Sequence, residues 1–173
     1  MGYEIAVFGG SFDPPHKGHK AIINELLKLD FLDLIIILPS FLNPFKNKPL
    51  FLPQKRLELL NKMIEKDKKI LISDFEIEQK ITHSIDSIRY FKDFYKPDSM
   101  YFVIGADILQ DLHKWYKIDE ILQEVDLIIA RRNNIDIESS KFYKKNKTII
   151  LDTKDNISST KLREQYFANF KDC

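Results

Sequence analysis

The sequence predicts an α/β protein organised around a doubly wound, mainly parallel sheet. Two observations carry that prediction. Short runs of β-branched and aliphatic residues alternate with longer helical patterns along the whole chain, which is the rhythm of βαβ units. The strand runs are near-continuous in Ile, Leu and Val instead of alternating with polar residues, as in strands covered on both faces. In such sheets ligands sit at the carboxyl ends of the strands, so the loops that follow each strand are where chemistry belongs.

The first strand is expected at residues 5–8 and leads through a glycine- and proline-rich turn into a helix over 17–29. A strand over 34–38 runs into an irregular, proline-rich stretch, 39–53, and then a helix opened by Pro53 and reaching about residue 66. Proline suits that first helical turn because its missing N–H would find no partner there in any case. A strand at 70–72, an amphipathic stretch over 84–95, a strand at 101–104, helical material over 106–123 and a strand at 127–130 continue the pattern. The polar stretch 131–147 is expected, like 39–53, to be a loop over the site. Its Lys141, Lys144, Lys145 and Lys147 read as a solvated surface. A last strand at 148–151 precedes a terminal helix that starts near Ser159.

With 173 residues and 44% hydrophobic content, the chain fits one domain, 1–173, able to bury about 70% of its unfolded surface without a staple. Its 27 basic and 26 acidic residues leave a net charge of +1, so no overall field recruits nucleic acid or an anionic membrane. Any anion site must be local. A single cysteine, Cys173, provides neither a disulfide framework nor a CxxC zinc site, which fits a reducing compartment. The longest apolar run, residues 34–38, is far too short to span a bilayer, and Ala6 occupies the position where a myristoylation signal needs Ser or Thr. The expected location is therefore cytoplasmic, and a homo-oligomer is compatible with the sequence.

The segment Gly9-Gly10-Ser11-Phe12-Asp13-Pro14-Pro15-His16-Lys17-Gly18-His19 holds the densest chemistry. Paired glycines after a strand let backbone N–H groups approach an anion, the prolines stiffen the turn, and the following helix N-terminus favours negative charge. His16 and His19, three apart, face one side of the first helical turn and would stabilise charge on a reacting phosphate. Taken alone the pair also reads as a helix cap with a packed neighbour. A metal site is the weaker reading, for no third ligand has recognisable spacing.

Two further motifs follow strands. Gly105-Ala106-Asp107 puts a carboxylate where ribose hydroxyls could donate to it, or where it could cap the next helix. Ser158-Ser159-Thr160 opens the last helix with hydroxyls and N–H groups, and Arg163 returns to the same side one turn later. That makes a second anion cradle with a fork-shaped donor, suited to β- and γ-phosphates, although a plain Ser/Thr cap has the same appearance.

These motifs, in this order, resemble the signature of the nucleotidylyltransferase superfamily, and GGSFDPPHxGH in particular resembles that of the bacterial nicotinate-nucleotide adenylyltransferases. The resemblance implies a Rossmann-like nucleotidylyltransferase fold that transfers the adenylyl group of ATP to nicotinate mononucleotide. It implies ATP contacts from Gly9, Gly10, Ser11, Phe12, His16, His19, Gly105, Asp107, Arg132, Ser158, Ser159, Thr160 and Arg163, with His16, His19 and Arg163 catalytic. Mononucleotide contacts would come from Ser11, Lys46, Ser84, Trp115 and Tyr116, the tryptophan stacking on the pyridine ring. Magnesium would arrive bound to ATP, with no metal held by the protein itself. The chain departs from the family pattern at Asn43-Pro44-Phe45-Lys46, where a Pro-His-Lys ending is usual, and at Thr82-His83-Ser84, which replaces Ser-Tyr-Thr.

The rival readings are a dual-specific enzyme accepting nicotinamide mononucleotide as well, pantetheine-phosphate adenylyltransferase, a cytidylyltransferase, and a non-catalytic nucleotide sensor. Intact His16, His19 and Arg163 argue against lost turnover, and the near-zero net charge argues against a nucleic-acid partner.

Overall fold

A computed structural model of the chain describes residues 2–43, 48–132, 134–153, 162 and 164. At its centre is β1 (Glu4–Gly10), hydrogen-bonded in parallel to β2 (Leu34–Pro39) on one side and to β4 (Ser99–Gly105) on the other. Beyond β2 lies β3 (Ile70–Ile72), and beyond β4 lie β5 (Asp126–Arg131) and β6 (Thr148–Asp152). The strand order is β3-β2-β1-β4-β5-β6, with every described pair parallel. The chain winds outward from β1 to β3, then crosses back to β4, so a crevice opens between the ends of β1 and β4.

Burial follows from the unbroken apolar runs. Ile35, Ile36 and Ile37 of β2 are all fully buried, because successive side chains point to opposite faces and both faces are covered. On one face, α1 (Lys17–Leu27) sets Ile22, Ile23 and Leu26 against Ala6, Phe8, Ile35 and Ile37. Leu60 and Ile64, on and just after α2 (Pro53–Met63), complete that layer. On the other face, α4 (Ser84–Tyr95) packs Ile85, Ile88 and Phe91 against Val7, Ile36, Phe102 and Ile104, and Ile121 of α5 (Ile118–Glu124) joins them. Each fully buried large aliphatic side chain contributes roughly 1.5–3 kcal/mol, so these two layers dominate what holds the sheet.

Three expectations are corrected. The 106–123 stretch is not one helix but two short 3-10 turns, 106–108 and 112–114, followed by α5. Between them and α5, Trp115 is extended (φ −70°, ψ 137°) and Lys117 is left-handed (φ 55°), so the chain bends twice. A short helix, α3 (Phe75–Gln79), also lies where none was expected. Of the two stretches expected to be loops over the site, 131–147 instead buries Ile137 and Phe142 in the α4–α5 layer, and its four lysines are exposed. Of the terminal helix, only Leu162 and Glu164 lie among the described residues, and both are helical.

Candidate active site

At the carboxyl ends of β1, β2, β4 and β5 is a cavity of about 520 Å³. Gly9, Gly10, Ser11, His16 and His19 line one wall of it, Gly105, Asp107 and Arg132 another, and Ser84, Trp115 and Tyr116 a third. Four segments widely separated in sequence thus bring most of the expected site residues into one volume. A larger hollow of about 900 Å³, between α1 and the end of β6, is lined by none of them.

The two histidines are fixed by their own helix. His16 is the N-cap of α1, and its Nδ1 accepts a hydrogen bond from the Gly18 N–H at 3.0 Å. In return, His19 Nδ1 accepts from the His16 N–H at 3.2 Å, the reciprocal geometry of a capping box built from imidazoles. Each ring therefore uses its Nδ1 lone pair on a backbone amide, so the neutral tautomer carries its proton on Nε2 and presents an N–H donor there. Both rings are more than nine-tenths buried and stack with centroids 3.8 Å apart.

Close approach explains the glycines. A Cβ on Gly9 would lie 3.1 Å from Phe102 Cζ in the strand alongside, and one on Gly105 would collide with Asp107 Oδ1. Phe12 differs from its expected place among the ATP-binding groups. Its ring is fully buried in the core, edge-on to Phe8 at 5.3 Å and 4.7 Å from the His19 ring, and it is absent from the cavity wall. Its backbone is left-handed at φ 46°, a strained state of order 1–3 kcal/mol that the buried ring holds in place. The Phe12 side chain thus backs His19 and leaves the cavity wall to its neighbours.

Beneath this turn lies a brace that the sequence did not reveal. Asp13, 3% exposed, accepts from the Leu50 and Phe51 amides at 2.7 and 2.8 Å. Arg56 of α2, 2% exposed, donates to the Ser11 carbonyl at 2.5 Å and to the Phe41 carbonyl at 3.2 Å. Burial pushes the Arg56 guanidinium below its ordinary range, and the Asp13 charge pulls it partly back. Together they tie the motif to the loop after β2.

At the far wall, Arg132 is 8% exposed and its Nε has no hydrogen-bond partner among the described residues; the same holds for Ser40 Oγ. Both residues line the cavity. Arg131, by contrast, turns outward to Glu138 and Asp152 at 2.7 and 3.2 Å. Trp115 meets Phe102 edge-on at 5.8 Å, and the exposed Tyr116 lies tilted by 31° against His83 at 4.4 Å.

Glu76 of α3 is a further unforeseen group. It is 7% exposed, lines the cavity, and accepts from Ser87 Oγ at 2.7 Å. Burial raises its carboxyl to about 7, against a smaller lowering by the Ser87 hydrogen bond. Lys46, Ser158, Ser159, Thr160 and Arg163 lie outside the described residues.

Fold and site together define a nucleotide-binding α/β protein with anion donors at the β1 turn. The chain belongs to the cytidylyltransferase-like family, whose model matches residues 7–165. It is 43% identical over 163 residues to a protein of Aliarcobacter butzleri (strain RM4018) named "Probable nicotinate-nucleotide adenylyltransferase", covering 94% of this chain and 87% of that one. A protein of the same name from Campylobacter fetus subsp. fetus (strain 82-40) is 42% identical, covering 93% and 86%. The fold matches Plasmodium falciparum nicotinic acid mononucleotide adenylyltransferase complexed with NaAD, with a TM-score of 0.81 at 24% identity, over 94% of this chain and 83% of that one.

Proposed function

We propose that this protein is a nicotinate-nucleotide adenylyltransferase, joining ATP and nicotinate mononucleotide into deamido-NAD with release of pyrophosphate. The observation that carries the reading is the pair of imidazoles locked by their Nδ1 hydrogen bonds in the same cavity lining as Gly9, Gly10, Ser84 and Trp115. An oxygen of the mononucleotide phosphate attacks the α-phosphorus of ATP, the bond from that phosphorus to the bridging oxygen breaks, and pyrophosphate leaves. No covalent enzyme intermediate is needed, so positioning and charge stabilisation supply the catalysis. His16 and His19 would donate to the α-phosphate oxygens as negative charge shifts onto them and onto the leaving group. Arg132 and Asp107 serve the nucleoside side of ATP, and Trp115 offers its face to the pyridine ring.

Lys46 and the Ser158–Arg163 cradle enter this reading through the family resemblance, for the acceptor and for the β- and γ-phosphates respectively. Magnesium enters as a passenger of the triphosphate. The side-chain donors beside the β1 turn are imidazoles, which suit phosphate oxygens better than a hard cation. The described residues hold no group of three or more His, Cys, Asp or Glu side chains able to bind an ion.

The exposed His83, standing where the family pattern has tyrosine, favours a second reading in which nicotinamide mononucleotide is also accepted. The test is pyrophosphate release from ATP with nicotinate mononucleotide, nicotinamide mononucleotide and phosphopantetheine in parallel. The proposal expects a kcat/KM at least tenfold higher for the nicotinate acceptor. Equal efficiency with the amide makes the enzyme dual-specific, and turnover with phosphopantetheine alone overturns the assignment.

A further inference from the structure

Glu76 is a buried carboxyl in the cavity wall to which the reaction above gives no task. Its Oε1 accepts from Ser87 Oγ at 2.7 Å, and Ser87 stands three residues after Ser84 on α4. Residues spaced by three share a helix face with Cβ atoms about 5–6 Å apart, so the serine that Glu76 holds lies about one turn along α4 from Ser84. Glu76, Ser84 and Trp115 all line the one cavity, and the N-terminus of the twelve-residue α4 opens on the same side. We infer that Glu76 is a specificity-determining residue that reads the pyridine substituent of the acceptor: as a neutral acid it donates a hydrogen bond to a carboxylate, and as an anion it repels one and accepts from an amide NH₂. This rests on the adenylyltransferase reading and deepens it.

The environment suits such a reader. A carboxyl held neutral by an apolar site can donate a hydrogen bond that an ionised one cannot. Burial raises Glu76 to about 7, within the range where a cell's own pH sets its state. From α4 the group facing it is the Ser87 hydroxyl, with His83 at the N-cap; β2, the strand packed on α3, carries no charged residue and is followed by the uncharged Ser40. Asp107, Asp111, Lys114 and Arg132 line the same cavity, and the causes of its shift are burial and the Ser87 hydrogen bond. Nicotinate bound against Glu76 would favour the proton further, so binding the acid takes one up while binding the amide does not.

The experiment is the ratio of kcat/KM for nicotinate over nicotinamide mononucleotide from pH 5.5 to 8.5, on the wild type, Glu76→Gln and Ser87→Ala. Taking the ratio cancels titration of the acceptor phosphate and of every group that both substrates meet alike. The expected wild-type ratio falls at least tenfold as pH rises through the region of 7. Glu76→Gln, a neutral isostere that still accepts from Ser87, should give a ratio constant with pH. Ser87→Ala removes a bond that favours the anion, so its midpoint should move to higher pH. A flat wild-type ratio, or the same slope in Glu76→Gln, overturns the inference while turnover itself continues. Absence of turnover with both pyridine acceptors overturns the adenylyltransferase reading and this inference together.

Discussion

His16 and His19 each hold the other in register. The backbone N–H of His16 donates to the His19 ring, and the His16 ring accepts from Gly18 on the same helical turn, with the two imidazoles stacked at 3.8 Å. The polar work of capping α1 is therefore done by the groups that also face the cavity, so helix geometry and donor geometry are one arrangement.

Replacing either histidine by alanine is accordingly expected to lower kcat by about 10²–10³, equivalent to about 2.7–4 kcal/mol, as for the loss of one preorganised donor. Stability should fall by only ~1 kcal/mol through the lost cap. Steady-state kinetics together with urea unfolding separate the two. Wild-type kcat with a raised KM would assign the rings to ground-state binding.

Arg56→Met should be costly in a different way. It removes a buried cation from two carbonyls and from the neighbourhood of Asp13, and breaking such a buried arrangement costs about 3–5 kcal/mol. Because Arg56 holds the Ser11 carbonyl, KM for ATP should also rise in whatever fraction folds. Unfolding midpoints within experimental error of the wild type would contradict this.

Glu76 makes a pH signature in stability. Its carboxyl rises from the ordinary 4.5 to about 7 on folding, so between these values the folded chain binds a proton that the unfolded chain has released. Its contribution is thus fully favourable below pH 4.5 and is lost as pH rises to 7. The difference amounts to about 3 kcal/mol. Relative to the wild type, Glu76→Gln should gain stability at pH 8 compared with pH 5, as read from urea midpoints. A constant difference between the two proteins at both pH values would refute it.

Gly105→Ala tests the nucleoside wall. The added Cβ would collide with Asp107 Oδ1 and turn that carboxylate away. A lost hydrogen bond to a charged group is worth about 1.5–3 kcal/mol, so KM for ATP should rise tenfold or more. Gly105 is not left-handed, so melting temperature should change little. Unchanged ATP affinity would remove Asp107 from the site.

How much of this could be read from the chain alone depended on distance along it. The His16–His19 turn is a local pattern, complete within four residues after a strand, and its spacing already implied a shared face. The brace under it joins residue 11 to 56 and residue 13 to 50, and neither Arg56 nor Asp13 carries a local sign of its partner. Glu76 escaped for the same reason, on a five-residue helix too short for any period to emerge. The 106–123 stretch misled because its apolar spacing fits a helix, whereas Trp115 and Lys117 break from helical angles where the tryptophan joins the cavity wall.

The central position of β1 also governs how the chain is made. Ala6, Val7 and Phe8 pair on one side with Ile35, Ile36 and Ile37, soon after them in sequence, but on the other with Tyr101, Phe102 and Val103, nearly a hundred residues later. During synthesis the first half can assemble three strands while β1 keeps one open, strongly apolar edge until β4 emerges from the ribosome. At roughly 5–20 residues per second that interval lasts several seconds, long enough for such an edge to recruit another nascent chain. Expression yield should therefore respond to chaperone supply and growth temperature more than the finished fold would suggest.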